Sequence, residues 1–247
     1  MQKVSVITMT YNDRSHLEKC AIQVLKQDYE NLEYIIVDGG STDGTKELLV
    51  QLEKQHGDKL IWISEPDQGL YDALNKGIRM ATGDIIGLMC DEFADEHVLG
   101  RMVETMEKEQ ADGVHGDLDY VQDGKVVRKW RMGNGTVNQG WMPAHPTLYL
   151  KREIYETYGV YKTNYKIAAD YEFVIRILKS GKTKLAYMPD VLVHMYHGEN
   201  SASTGSLKSY VNSFLEARRA LIENGMPHPM LTCIRRTLRV LAQFRGN

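Results

Sequence analysis

The sequence predicts an α/β protein built on a single, mostly parallel sheet flanked by helices, with a small antiparallel hairpin and helices at its C-terminal end. Three observations predict it. Apolar, β-branched runs alternate with helix-period segments from residue 3 to residue 89, the pattern of strand–helix–strand units with parallel strands. DIIGLM, at residues 84–89, is nearly all apolar, as a central strand covered on both faces must be. Two strand-like runs, GVHGDLDY at 113–120 and KVVRKWR at 125–131, flank Gln122-Asp123-Gly124, and the Asp-Gly step suits a tight hairpin turn.

Each element has a local reason. KVSVIT at 3–8 is a buried first strand that ends in the polar turn Thr10-Tyr11-Asn12-Asp13, and Leu17, Ala21, Ile22 and Leu25 then recur at helical spacing. LEYIIV at 32–37 is the second strand and ends in DGGSTDGT. That segment holds neither GxGxxG nor GxxxxGK[ST], so it is no dinucleotide or P-loop cradle; Thr42 or Asp43 caps the helix at 45–55. LIWIS at 60–64 is a third strand, followed by the turn Glu65-Pro66-Asp67-Gln68-Gly69. The helix at 70–81 turns Leu70, Ala73, Leu74, Gly77 and Ile78 to the core and stops at Thr82-Gly83. The fourth strand, 84–89, delivers Asp91 and Glu92.

Beyond it, residues 95–110 form a charged amphipathic helix, and MGNGTVNQG at 132–140 is a glycine-rich connection, either a lid or an ordinary surface loop. Helices follow at 151–158 and 170–180, the latter with Asp170 in its first turn, where the helix dipole favours a carboxylate. A strand at 184–193 leads to the polar loop HMYHGENSAST at 194–204. Ligands of parallel sheets sit off the carboxyl ends of the strands, so Thr10, Tyr11 and Asp38 should share one crevice. Asp38 there can accept a hydrogen bond from the N3–H of uracil or thymine, or serve its own turn.

With 247 residues, 43% of them hydrophobic, the chain can bury the core of one large domain with a short tail. A net charge of -3 argues against nucleic acid as a partner. Cys20, Cys90 and Cys233 are far apart and form no CxxC pair, which argues against a zinc site or disulfide framework and fits a reducing cytosol. No run reaches the roughly 20 apolar residues of a bilayer span. The segment LTCIRRTLRVLAQFR at 231–245 is amphipathic, with Arg235, Arg236, Arg239 and Arg245 and no acid. It suits an anionic membrane surface, packing on the domain, or a second subunit in a homodimer.

The opening VSVITMTYND, then IIVDGGSTDGT, and above all SEPDQGLYDALNKGIRMATGDIIGLMCDE at 64–92 resemble the signature of glycosyltransferase family 2. The likeness is dense to about residue 92 and returns at AHPTLYLKREIYETYG, IAADYEFVIRI and HMYHGENSAS; it is nearest in kind to bacterial enzymes of exopolysaccharide, capsule and O-antigen assembly, the colanic-acid type among them. The resemblance implies a GT-A fold with a Rossmann-like sheet, a nucleotide-sugar donor, a divalent cation (Mg²⁺ or Mn²⁺) and inversion at the anomeric carbon. It implies a catalytic domain over 1–205, with a nucleotide-sugar half at 1–112 and an acceptor half at 113–205, before a helical tail at 206–247. Thr10, Tyr11, Asp38 and Asp67 fall where the family holds the nucleoside, with Asn75 and Lys76 nearby.

Asp91 and Glu92 fall on the metal-binding acidic motif, although Cys90-Asp91-Glu92 stands where Ser/Ala-Asp-Asp is usual, which leaves open which of the two touches the metal. His197 matches a loop histidine that contacts metal or diphosphate in some relatives, and Asp170 aligns with the catalytic base, with Ala169 in place of the usual glutamate. His145 and Tyr171 are placed on the acceptor side. The expected activity is an inverting transfer from a nucleotide-sugar, a UDP-sugar first, to a saccharide or an undecaprenyl-diphosphate-linked acceptor. The expected location is the cytoplasm, at the inner face of the cell membrane. Two other classes compete: a nucleotidyltransferase, disfavoured because the N-terminus lacks a glycine- and arginine-rich triphosphate loop, and a non-catalytic nucleotide- or carbohydrate-binding module.

Overall fold

The structure, a computed structural model, describes residues 1–196 and 207–243. Among these, the strands are β1 (Val4–Thr10), β2 (Leu32–Asp38), β3 (Leu60–Ser64), β4 (Ile85–Leu88), β5 (Glu92–Phe93), β6 (Gly113–Gln122), β7 (Lys125–Trp130), β8 (Tyr149–Lys151) and β9 (Leu185–Tyr196). The helices are α1 (Arg14–Leu25), α2 (Thr45–His56), α3 (Leu70–Met80), α4 (Val98–Glu109), α5 (Arg152–Tyr158), α6 (Ala169–Leu178), α7 (Leu207–Glu223) and α8 (Pro229–Ala242). One sheet runs β3-β2-β1-β4-β8-β6-β9-β5, with β7 hydrogen-bonded to β6. β3, β2, β1 and β4 are parallel, as the alternating pattern predicts.

The other half of the sheet is mixed. β8 is antiparallel to both β4 and β6, β9 is parallel to β6, and β5 is antiparallel to β9. The expected hairpin is present as β6–β7, with Asp123 and Gly124 at φ of 50° and 71°, the left-handed pair that a tight two-residue turn demands.

Two cores cover the two faces, and strand alternation sorts side chains between them. Leu32, Tyr34 and Ile36 of β2 pack with α1, α2 and α4, whereas Ile35 and Val37 pack with α3, α5 and α6. In α1 the buried residues are Leu17, Cys20, Ala21 and Val24, while Ile22, expected inside, is 42% exposed. Segment 132–140, weighed as a lid, is an anchored connection: Met132 and Val137 are buried, and a capping box on Thr136 and Gln139 closes its short turn. The tail packs on the second core through Ala217, Ala220, Leu221 and Cys233, and Glu223 binds the Tyr165 hydroxyl at 2.9 Å. All three cysteines are free. No helix among the described residues is long and apolar enough to cross a membrane.

Candidate active site

Four parallel strands end at one edge, and that edge gathers the expected nucleoside residues. The register pairs Thr10 with Asp38 and Asp38 with Ser64. Asp38 is fully buried, and its carboxylate accepts the Ser41 N–H at 3.1 Å and the hydroxyls of Ser41 and of Ser64, the latter at 2.6 Å. In this arrangement it organises the turn and joins β2 to β3, at the strand end where the base-reading role is expected. Tyr11 is 65% exposed at the rim. Asp67 accepts the Gly69 N–H at 2.7 Å, and its other oxygen lies over Gly39, where an added Cβ would stand 2.6 Å from it and 3.2 Å from the Tyr11 ring. Glycine at 39 thus lets Asp67 and Tyr11 close over the backbone. The Thr10 hydroxyl is buried beside them with no hydrogen-bond partner among the described residues.

Two residues expected in the donor pocket instead hold its walls. Asn75 is buried, and both ends of its amide bind the backbone of Tyr161, at 2.8 and 3.0 Å. The amide can only be satisfied that deep by such a bracket. Lys76 reaches back to the Pro66 carbonyl and the Glu65 carboxylate, both at 2.9 Å, and so staples the turn that carries Asp67. Its neighbouring carboxylates hold the ammonium above its ordinary pKa.

Beyond β4 lies the acidic pair. Asp91 is 7% exposed and accepts the Tyr196 N–H at 3.2 Å, with His16 Nε2 at 3.7 Å. Burial pushes its carboxyl pKa up, against the pull of the Tyr196 N–H and His16, and the Glu92 charge raises it further. Glu92 accepts the Tyr196 hydroxyl at 2.8 Å and sits opposite His194 in the β5–β9 register. The two acids offer hard oxygen donors to a divalent cation, and a positive charge there would relieve the raised Asp91. No group of three or more His, Cys, Asp or Glu among the described residues is arranged to hold a metal unaided. His197 lies outside the described residues.

Asp170 approaches the helix that follows the turn of Asp67. Its Oδ1 accepts the Tyr171 N–H at 2.7 Å and lies 3.4 Å from the hydroxyl of Tyr71, in the first turn of α3, four residues after Asp67. Tyr71 also donates to the Ile167 carbonyl at 2.7 Å, and burial and Asp170 push its own pKa far up. The segment before Asp170 is clamped from α7: one carboxylate, Glu216, accepts the N–H groups of Lys166, Ile167 and Ala168 at 2.9, 2.8 and 2.9 Å. His145 bonds the Tyr161 hydroxyl at 2.7 Å; burial lowers its pKa against an opposing pull from the Asp170 charge. Tyr171 departs from its expected place. It is fully buried, turned toward α8, with the Arg236 guanidinium 5.0 Å from its ring centre, so it does not face an acceptor.

The sequence reading missed His16, Tyr71, Tyr196 and Glu216. Tyr71 and Tyr196 lie inside the recognised motifs, and His16 is one turn past the β1 loop. Glu216 left no local signal, since its partners are 48 to 50 residues away.

Residues 5–172 match the family described as Glycosyl transferase family 2. The chain belongs to glycosyltransferase family 2. An uncharacterized glycosyltransferase of Nostoc sp. is 35% identical over 120 residues, which cover 48% of this chain and 37% of that protein; the match thus spans little more than a third of that relative. A PGL/p-HBAD biosynthesis glycosyltransferase of Mycobacterium bovis is 28% identical over 209 residues, 78% of this chain and 76% of the relative. Among solved structures, Staphylococcus aureus TarS in complex with UDP-GlcNAc superposes with a TM-score of 0.77 at 17% identity, over 99% of this chain and 74% of that one. The mannosyltransferase PcManGT from Pyrobaculum calidifontis, in complex with GDP-Man and Mn²⁺, gives 0.67 at 20% identity, over 100% and 76%. These likenesses are to the fold, and this family 2 chain has the GT-A architecture that its motifs implied.

Proposed function

We propose that this family 2 member transfers a glycosyl group from a nucleotide-sugar, a UDP-sugar first, to a saccharide or lipid-linked saccharide acceptor, with inversion at the anomeric carbon. The carrying observation is that the acidic pair follows β4 at the carboxyl edge of the parallel strands, while Asp170 is tied by Tyr71 to the helix that follows the turn of Asp67 at the end of β3. Carboxylates supplied by two separate segments would suit a displacement in which one centre serves the leaving diphosphate and the other the attacking hydroxyl.

In this reading Thr10, Tyr11 and Asp67 line the nucleoside pocket, whose shape Asp38, Asn75 and Lys76 maintain. Asp91 and Glu92 would hold a divalent cation, which neutralises charge on the departing diphosphate. Asp170 accepts the proton of the acceptor hydroxyl as the new bond forms, a contribution of about 10²–10⁴-fold. The proton ends on Asp170, and the bond to the diphosphate oxygen breaks on the opposite face, which inverts the centre. The assay is slow hydrolysis across a panel of nucleotide-sugars, with and without Mn²⁺. Metal-stimulated release of the nucleoside diphosphate from at least one donor is expected; release from none removes the reading in favour of a binding module.

The same reading places the protein at the inner face of a membrane, in surface-glycan assembly. Leu231, Ile234 and Leu238 form an exposed stripe on α8, flanked by Arg235 and Arg239, and α8 carries no acid. Such a face favours an anionic bilayer over a second copy of this chain, because the basic flanks would repel their own image.

A further inference from the structure

A cavity lies away from the donor edge. It encloses about 390 Å³ between β7, the 132–142 connection and α8, and its lining includes Lys129, Arg131, Arg236 and Arg239 but no acid. Arg131 is compensated by Asp119 at 2.6 Å and Asp117 at 3.6 Å. Lys129, Arg236 and Arg239 have no carboxylate partner among the described residues. The walls between these cations are apolar: Trp130, Met132, Trp141, Met142 and Val240.

The cleft is held in shape. Gly140 packs so closely on α8 that a Cβ there would stand 2.3 Å from the Arg236 backbone nitrogen. Arg235 and Arg239 donate to the carbonyls of Asn138 and Gln139 at 2.9 and 3.1 Å, and the Trp141 indole N–H is fixed on the Met132 and Gly133 carbonyls, both at 3.1 Å. Arg236 lies against Tyr171, the residue after Asp170, so the cleft stands one side chain behind the proposed base. On α8 the cleft residues Arg236, Arg239 and Val240 share one face, continued by Gln243 just past its end, while the exposed stripe Leu231, Ile234 and Leu238 occupies another.

We propose that this cleft binds the phosphate or diphosphate ester group of an amphiphilic acceptor, with the uncompensated cations on the phosphates and the tryptophan-lined wall on the first part of the apolar chain. The proposal rests on the transferase reading and specifies its acceptor. Three uncompensated cations over an acid-free lining call for a multiply charged anion. The apolar walls call for a ligand that is more than an inorganic ion, and the volume is in the range of small-molecule sites. The position behind Asp170 suits the end of an acceptor that is anchored while its other end meets the donor.

The test uses farnesyl diphosphate with the full chain and reads tryptophan fluorescence, since Trp130 and Trp141 line the cleft. We expect a saturable change that weakens as salt is raised, no response to farnesol, and weaker binding of inorganic diphosphate. Lys129→Gln and Arg239→Gln, both at exposed positions, should each weaken binding about tenfold, the scale of one charged hydrogen bond. Absence of saturable binding to the wild-type chain overturns the proposal, as does unchanged binding by the double variant. Capture of anionic vesicles that farnesyl diphosphate does not compete would assign the cations to bilayer headgroups and overturn it too. Donor hydrolysis is measured on the same wild-type sample. Hydrolysis without farnesyl diphosphate binding removes only the cleft; binding without hydrolysis of any donor removes the transferase reading and leaves a phosphate-ester site.

Discussion

Asp170→Asn removes a proton-accepting charge and changes little else. The Oδ1 that takes the Tyr171 N–H at 2.7 Å and faces the Tyr71 hydroxyl at 3.4 Å can be reproduced by the amide oxygen, so the first turn of α6 keeps its bonds. The fold loses only the attraction between a carboxylate and the helix N-terminus, about 0.3–1 kcal/mol. A lost general base costs much more in rate, about 10²–10⁴-fold, or about 3–5 kcal/mol in the barrier. The expected result is therefore a kcat lowered by that factor with the donor KM and nucleotide affinity nearly unchanged, measured as nucleoside diphosphate release in the presence of acceptor and by calorimetric titration. Tyr71→Phe should cost only a few-fold, because its hydroxyl is long from the carboxylate and mainly serves the Ile167 carbonyl. If Asp170→Asn retains activity within about tenfold of wild type, the carboxylate is a helix cap and the base lies elsewhere.

Other perturbations probe the frame. Glu33, buried under Lys3 at 2.8 Å, the Ser5 hydroxyl at 2.5 Å and the Thr82 N–H at 2.7 Å, has its pKa brought down to about 2 by those partners despite the opposing effect of burial. Since a free glutamate titrates near about 4.3, its ionisation contributes about 3 kcal/mol above that pH, and the contribution fades as pH falls toward about 2. Denaturation of Glu33→Gln should show a deficit of that order at neutral pH that shrinks on acidification; a deficit constant with pH would contradict the assignment. Glu216→Gln leaves one acceptor oxygen for three N–H groups, so about 1–3 kcal/mol of stability and a several-fold drop in kcat are expected at constant donor KM. An unaltered kcat would show that the clamp does not position Asp170. Gly39→Ala pushes a methyl group into Asp67 and should weaken nucleotide binding about tenfold by titration, with thermal stability nearly retained.

The parallel half of the fold was legible because its strands are covered on both faces and read as continuous apolar runs between turn residues; Leu60–Ser64 matches its expected limits. β5 and β8, two and three residues long, escaped because a strand that short shows no period. With them went the mixed character of the second half. In α1, Ile22 and Val24 are both apolar, and only the packing of the helix on β1, β5 and α2 decides which turns inward. At the site, positions at strand ends were readable and roles were not. The partners of Asn75 lie 86 residues along the chain and those of Asp38 are two serines, so a polar residue near a pocket looked the same as one facing it. Tyr171 illustrates the helical version, since one residue's step around α6 separates the crevice from the tail.

The three-pronged grip of Glu216 also has a consequence for assembly. The turn that presents Asp170 is synthesised before the carboxylate that fixes it, so a nascent chain ending short of α7 would carry its proposed base on a loose segment. Such a polypeptide could complete the parallel strands and engage a nucleotide while still lacking a competent acid–base centre. Chemistry would then switch on only when the closing helix docks, which makes α7 a checkpoint on maturation.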